Sequence, residues 1–113
     1  MALTRARFIE ELNRLASTHP SLLWSERIIE YAPEVSDFVL TTDGPVTIVV
    51  SVRDDLDVAR VMVDEHVFDF VPTVELHDFL AAVFSGRWEV LPKRGILTPG
   101  RMVVRSGERL WES

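Results

Sequence analysis

Between residues 37 and 71 the chain repeats one pattern. Short apolar runs at 37–42, 46–52, 58–63 and 67–71 are separated by breaks of a few mainly polar residues, Asp43-Gly44, Arg53-Asp54-Asp55-Leu56-Asp57 and Asp64-Glu65-His66. Strands joined by connections this short run antiparallel, because a parallel crossover needs a dozen residues or more. The pattern therefore predicts an antiparallel meander. The run 46–52 is apolar at nearly every position, which predicts a central strand covered on both faces. Asp43-Gly44 predicts a hairpin, since both residues tolerate positive φ.

Two stretches of helical period flank the meander. Over residues 4–17, Phe8, Ile9, Leu12, Leu15 and Ala16 fall on one stripe, with Thr4 placed to cap the start and His19-Pro20 to end it. Over residues 74–85, Leu76, Phe79, Leu80, Val83 and Phe84 form a second stripe, with Thr73 as the expected N-cap and Gly86 as the stop. Residues 21–32 read as a short helix or turn followed by an extended segment. After Gly86, residues 87–91 read as a strand, Pro92-Lys93-Arg94-Gly95 and Pro99-Gly100 as turns, and 101–105 with 108–111 as a closing hairpin. The expected architecture is a single α+β domain over 1–113, an antiparallel meander sheet with the N-terminal helix and the second helix packed on one face.

Composition fits that architecture. Apolar residues make up 47% of the 113, and glycine and proline are few, which excludes a disordered or low-complexity chain. The longest apolar runs, such as Ile48-Val49-Val50, are too short to span a bilayer, so no membrane role is expected. There is no cysteine, which excludes disulfides and thiolate chemistry. Together with an N-terminus that lacks the apolar stretch of a signal peptide, this points to a reducing cytoplasm.

The formal charge of −6 is unevenly spread. Residues 31–85 carry eleven acidic against two basic side chains, net −9, whereas residues 86–113 are net +3. An acidic middle repels phosphate backbones and disfavours nucleic acid, and it attracts a basic protein. Asp54, Asp55, Asp57, Asp64, Glu65 and Asp69 are the candidate partner-binding residues. Trp111, near the C-terminus with Arg101, Arg105 and Arg109 in the same stretch, is a candidate aromatic-arginine patch.

Chemistry-bearing motifs are lacking. His66 and His77 stand near acids, but their spacing matches no metal-ligand pattern, and the acidic loop 54–57 lacks the glycine and distal glutamate of an EF-hand. There is no Gly-x-Ser-x-Gly, phosphate loop or dinucleotide fingerprint. No cofactor, no metal site and no catalytic residue is assigned, and the chain is not expected to be an enzyme.

A cysteine-free acidic domain of this size, with an N-terminal helix, an antiparallel meander and a packed helix, resembles the small α+β immunity proteins of bacterial polymorphic-toxin systems. It is also similar in outline to small secretion chaperones. The first resemblance implies a toxin inhibitor that occludes a partner's active site or substrate groove. The second implies a dimeric chaperone or adaptor with an exposed apolar groove. A small enzyme or ligand-binding domain is a third reading, which requires a deep pocket with convergent polar groups.

Overall fold

The chain begins with helix α1 (Arg5–Thr18), and the sequence dictates both of its ends. Thr4 is extended, and its side chain accepts a hydrogen bond from the Arg7 N–H at 3.3 Å, a donor the first turn leaves without a helical partner. At the other end His19 closes the helix ahead of Pro20, and its N–H donates to the Leu15 carbonyl. The structure, a computed structural model of the chain, describes residues 4–27, 30–32, 34–53, 55–92 and 100–113.

Five strands follow as a meander in sequential order: β1 (Leu23–Arg27), β2 (Val35–Thr41), β3 (Thr47–Arg53), β4 (Val58–Val63) and β5 (His66–Pro72), every neighbouring pair antiparallel. Strand β1 occupies part of the stretch expected to be a short helix or turn. The β2–β3 connection spans 42–46 and is held by the Gly44 N–H donating to Thr42 Oγ1 at 3.1 Å, with no positive φ at Asp43 or Gly44. The expected hairpin thus forms without a positive φ, whereas the β4–β5 turn, also expected to be tight, uses one, with Asp64 at φ 52°. Asp64 Oδ1 accepts from the Thr47 N–H at 2.9 Å and the Asp64 N–H donates back to the Thr47 carbonyl, so the turn is stitched to the start of β3.

Period-2 alternation puts Phe38, Leu40, Ile48, Val50, Val52, Val61 and Val63 on one face, each at most 1% exposed. Helix α1 covers this face with Phe8, Leu12 and Leu15. A 3-10 turn (Thr73–Glu75) leads into helix α2 (Leu76–Phe84), which adds Leu76, Phe79, Leu80, Ala82 and Val83 to the same core. Among the described residues no helix covers the opposite face of the sheet. Strand β3 is central, but Val49 and Ser51 on that side are only half-buried, so the described residues do not supply the expected cover on both faces. The apolar run signals its place in the middle of the sheet and not a second layer.

Helix α2 ends in a Schellman motif. The Arg87 N–H donates to the Ala82 carbonyl and the Gly86 N–H to the Val83 carbonyl, with Gly86 at φ 74°, a conformation that suits a residue without Cβ. The chain then forms a second sheet of β6 (Trp88–Leu91), β7 (Arg101–Ser106) and β8 (Arg109–Glu112), with β7 in the middle. Met102, Val104 and Trp111 from this sheet join the main core, so both sheets share one apolar interior. The ring of Trp111 meets Phe79 edge to face at 5.3 Å, and Phe79 meets Phe68 in the same way at 4.9 Å. The turns expected at 92–95 and 99–100 lie largely outside the described residues.

Candidate functional site

The meander sends its loops alternately to the two ends of the sheet, and this sorts the acidic residues. Asp55 and Asp57 sit in the β3–β4 connection at one end, and Asp64 and Glu65 sit in the β4–β5 turn at the other. The six residues of β4 separate the two groups, about 20 Å at the usual rise per residue. Asp69 lies within β5, beside the register shift that displaces the strand opposite Arg60, and its carboxylate is 3.5 Å from the Arg60 guanidinium. The carboxylates named from the sequence therefore do not form one patch. Asp54 lies outside the described residues.

Several of these acids are already engaged. Arg53 donates from Nε to Asp55 Oδ1 at 3.1 Å and from Nη2 to Asp55 Oδ2 at 2.9 Å, and these bonds hold the Asp55 carboxyl below the usual carboxylate range. The Asp64 carboxylate is bonded to the Thr47 N–H. Asp57 contributes its main chain: its carbonyl accepts from the Thr73 N–H at 2.8 Å and from Thr73 Oγ1 at 3.1 Å. Thr73 is consequently buried and bonded to the loop, and it is not the side-chain cap of α2 that its position suggested. The Asp57 and Glu65 carboxylates are exposed and make no hydrogen bond or ion pair with the described residues.

The end that carries Asp55 and Asp57 also gathers the apolar exposure. Among the described residues six large hydrophobic side chains are exposed: Leu23, Tyr31, Leu56, Phe70, Val74 and Val90. Four of them belong to this end. Tyr31 (92% exposed) is in the β1–β2 connection, Leu56 lies between the two aspartates, Phe70 (80%) is near the end of β5, and Val74 (82%) follows Thr73. Local hydrogen bonds shape these loops, and one pair of bonds joins two of the segments. The Val35 N–H donates to the Ala32 carbonyl, Val35 pairs across with Arg53, the Leu56 N–H donates to the Arg53 carbonyl, and Asp57 holds Thr73. Glu30 and Glu34 are exposed on the same end, and Glu34 lies close enough to Arg53 to act on its charge. Four exposed apolar side chains thus share this end of the sheet with four exposed acids, Glu30, Glu34, Asp55 and Asp57. Sequence reasoning named Asp55 and Asp57 and did not single out Glu30, Glu34, Tyr31, Phe70 or Val74. A strand pattern shows which residues share a face but not which loop ends stay uncovered.

Trp111 has a different place from the one expected. It is 5% exposed, its Nε1–H donates to Glu75 Oε1 at 3.2 Å, and the Arg109 guanidinium lies 5.2 Å over its ring while pairing with Glu75. Arg101 and Arg105 are directed elsewhere, to Glu112 and Glu89 respectively. An exposed tryptophan among three arginines is therefore replaced by a core residue bridging β8 and α2.

A second acidic residue matters that the sequence did not single out. Asp37 on β2 is 5% exposed although it belongs to the open face of the sheet. Its Oδ1 accepts from Ser51 Oγ at 2.7 Å and its Oδ2 from Arg27 Nη2 at 2.9 Å, both of them its cross-strand neighbours. Both oxygens of Asp37 are thereby satisfied, and the trio reads as a polar cross-link between three neighbouring strands.

The surface carries several concavities, among them a shallow one of about 630 Å³ by Arg87, Trp88 and Arg105 on the second sheet. A groove of about 360 Å³ runs between β5 and β8, with Phe70, Asp69 and Leu110 along it. A cleft of about 170 Å³ lies between α1 and α2. At its mouth His77 Nδ1–H donates to Glu11 Oε2 at 2.9 Å, and Arg14 donates to the other oxygen of Glu11 at 3.0 Å. Among the described residues no group of three or more histidine, cysteine or acidic side chains is arranged to hold a metal ion, and no helix is long and apolar enough to cross a membrane. Comparison with protein-family models, with curated proteins and with solved structures gives no match for this chain.

Proposed function

We propose that the chain is a non-catalytic protein-binding module that engages a basic protein partner with the Tyr31–Leu56–Val74 end of its sheet and thereby occludes it, a role of the inhibitor or immunity type. The observation that supports this reading is that four exposed apolar side chains and the exposed acids Glu30, Glu34, Asp55 and Asp57 all lie at one end of the five-stranded sheet. Carboxylates steer a basic partner and set its salt dependence, while apolar side chains that lose water on contact set its residence time. Asp64 and Glu65, at the far end, contribute only to the overall field. A reducing, cytoplasmic setting suits a chain without cysteine.

The test is affinity capture from the native host with the wild type, the double variant Tyr31→Ser/Phe70→Ser, the double variant Asp55→Asn/Asp57→Asn, and the far-end control Asp64→Asn/Glu65→Gln. One basic protein should be captured by the wild type and the control, lost from the apolar variant, and weakened with a reduced salt dependence by the Asp55/Asp57 variant. Equal capture by all four would end this assignment.

A second reading, a dimeric chaperone or adaptor, draws on the open sheet face, where Val39, Val49, Met62 and Val67 are only half-buried. It requires a dimer at micromolar concentration in sedimentation equilibrium, and a strict monomer removes it.

A further inference from the structure

We infer that the face of the five-stranded sheet turned away from the helices docks a second copy of this chain, with a two-fold axis running along β3. This gives the dimer of the second reading a geometry, and it does not depend on what the sheet end binds. The cross-strand register sorts the face into rows. One row is apolar: Val39, Val49, Met62 and Val67 stand side by side on four consecutive strands, all half-buried. Two residues along each strand lies a charged row. Arg27, Asp37, Ser51 and Arg60 are in register from β1 to β4, and Asp69 on β5 lies 3.5 Å from Arg60.

The order of charges names the occupant. From β1 to β5 the row runs plus, minus, neutral, plus, minus, and it sums to zero, so it selects neither an acidic nor a basic protein. A two-fold interface must be complementary to itself. Rotation by 180° about an axis along β3 lays the row over its own reverse. Arg27 then faces the partner's Asp69, Asp37 faces the partner's Arg60, and the neutral Ser51 meets its own copy. An axis across the strands through this row sets like charge on like. The pairs within one copy do not use up the complementarity: Arg27, Arg60 and Asp69 each keep more than half of their side-chain surface exposed, and a guanidinium has donors for two carboxylates. In the apolar row Val49 faces the partner's Val49 and Val39 the partner's Met62. Sheets packed face to face keep their strands within about 30° of each other, which this axis satisfies. Five strands of five to seven residues present roughly 24 by 20 Å, so two copies cover on the order of 1,000 Å², the lower limit for specific association. A dimer of micromolar affinity follows.

Sedimentation equilibrium of the full chain tests this, with circular dichroism to check that each variant is folded. Val49→Lys and Val49→Glu each set like charges against each other across the axis. Each alone should dimerise at least about tenfold more weakly than the wild type, and an equimolar mixture should recover a 1:1 dimer. Asp69→Arg and Arg27→Glu should likewise be weakened singly and restored on mixing, because the mixture opposes unlike charges at both places. The Val49 pair leaves the Asp37 cross-link untouched, so it decides the face even where Arg27→Glu unfolds. A wild type that stays monomeric at about 100 µM, or Val49 variants that dimerise as it does, would overturn the docking face. Recovery of the Val49 mixture without recovery of folded Asp69→Arg and Arg27→Glu would overturn the axis and leave the dimeric reading standing. Capture of a basic partner through the sheet end should be equal for the wild type and the Val49 variants, so failure of the dimer and failure of the sheet-end reading show in different measurements.

Discussion

The main-chain carbonyl of Asp57 accepts both hydrogen bonds that Thr73 can donate, from its N–H and from its hydroxyl. One residue of the β3–β4 loop thereby fixes the point where the sheet hands over to α2. Thr73→Val keeps the shape and removes the hydroxyl donor. The expected cost is about 1 kcal/mol, the usual worth of a neutral hydrogen bond at a part-buried site. A urea titration should show a lower midpoint with an unchanged slope.

Trp111 joins β8 to α2 through its edge contact with Phe79 and its indole N–H on Glu75. Trp111→Ala should cost about 3–5 kcal/mol, as large buried aromatics do. Arg109→Ala, which removes the half-exposed cation above the ring together with its exposed pairing to Glu75, should cost less than about 1 kcal/mol. Thermal unfolding of both variants decides it. A small loss for Trp111→Ala would mean that the tryptophan is peripheral.

Much of this fold was legible because periodicity reports burial directly. The stripes Phe8–Leu12–Leu15 and Leu76–Phe79–Leu80 gave both helices, and alternation with short breaks gave the meander and its antiparallel sense. Three things were not legible. Val46–Val52 looked covered on both faces because β-branched residues suit any central strand, whether or not a second layer exists. Trp111 looked exposed because proximity to a chain end says nothing about whether a terminal strand docks on the core. Thr73 looked like a cap because its local sequence is that of one, and a long-range acceptor, the Asp57 carbonyl, took its hydroxyl. The candidate site was half legible. Asp55 and Asp57 lie on it, whereas Asp64 and Glu65 were grouped with them by sequence proximity and are separated by the length of a strand.

Asp37 is a buried carboxylate with two cross-strand partners, and its energetics differ from those of the surface ion pairs. Arg27→Ala leaves Asp37 with Ser51 alone, and a loss of about 1–3 kcal/mol is expected for a buried acceptor deprived of a charged donor. Arg14→Ala breaks an exposed pair with Glu11 within α1 and should change stability by less than about 0.5 kcal/mol. Similar losses for the two variants would show that Asp37 is solvated.

Two exposed pairs contribute to the response to acid. Hydrogen bonds from Arg5 to Glu26 and from Arg53 to Asp55 lower both carboxyl pKa values. A depressed carboxyl pKa contributes stability above the unfolded value, near 4, and that contribution is lost as the pH falls through the lower folded value. The wild type should therefore lose stability more steeply below about pH 4 than the double variant Glu26→Gln/Asp55→Asn. The two proteins should show parallel curves from about pH 5 to 7. Chemical denaturation across that range measures the difference, and identical slopes in acid would show both pairs to be broken in solution.

Asp64 separates charge from structure at the far end of the sheet. Its φ of 52° is a conformation that aspartate and asparagine tolerate and that alanine adopts at a cost. Its Oδ1 also holds the Thr47 N–H. Asparagine keeps the acceptor and the backbone preference and removes only the charge, so Asp64→Asn should stay within about 0.5 kcal/mol of the wild type. Asp64→Ala loses the acceptor and strains the turn, for an expected cost of about 1–2 kcal/mol. Amide exchange should report the same contrast at one atom, with the Thr47 N–H remaining protected in Asp64→Asn and opening in Asp64→Ala. Equal protection in the two variants would mean that the β4–β5 turn is held by its main chain alone and that the Asp64 side chain is available to a partner.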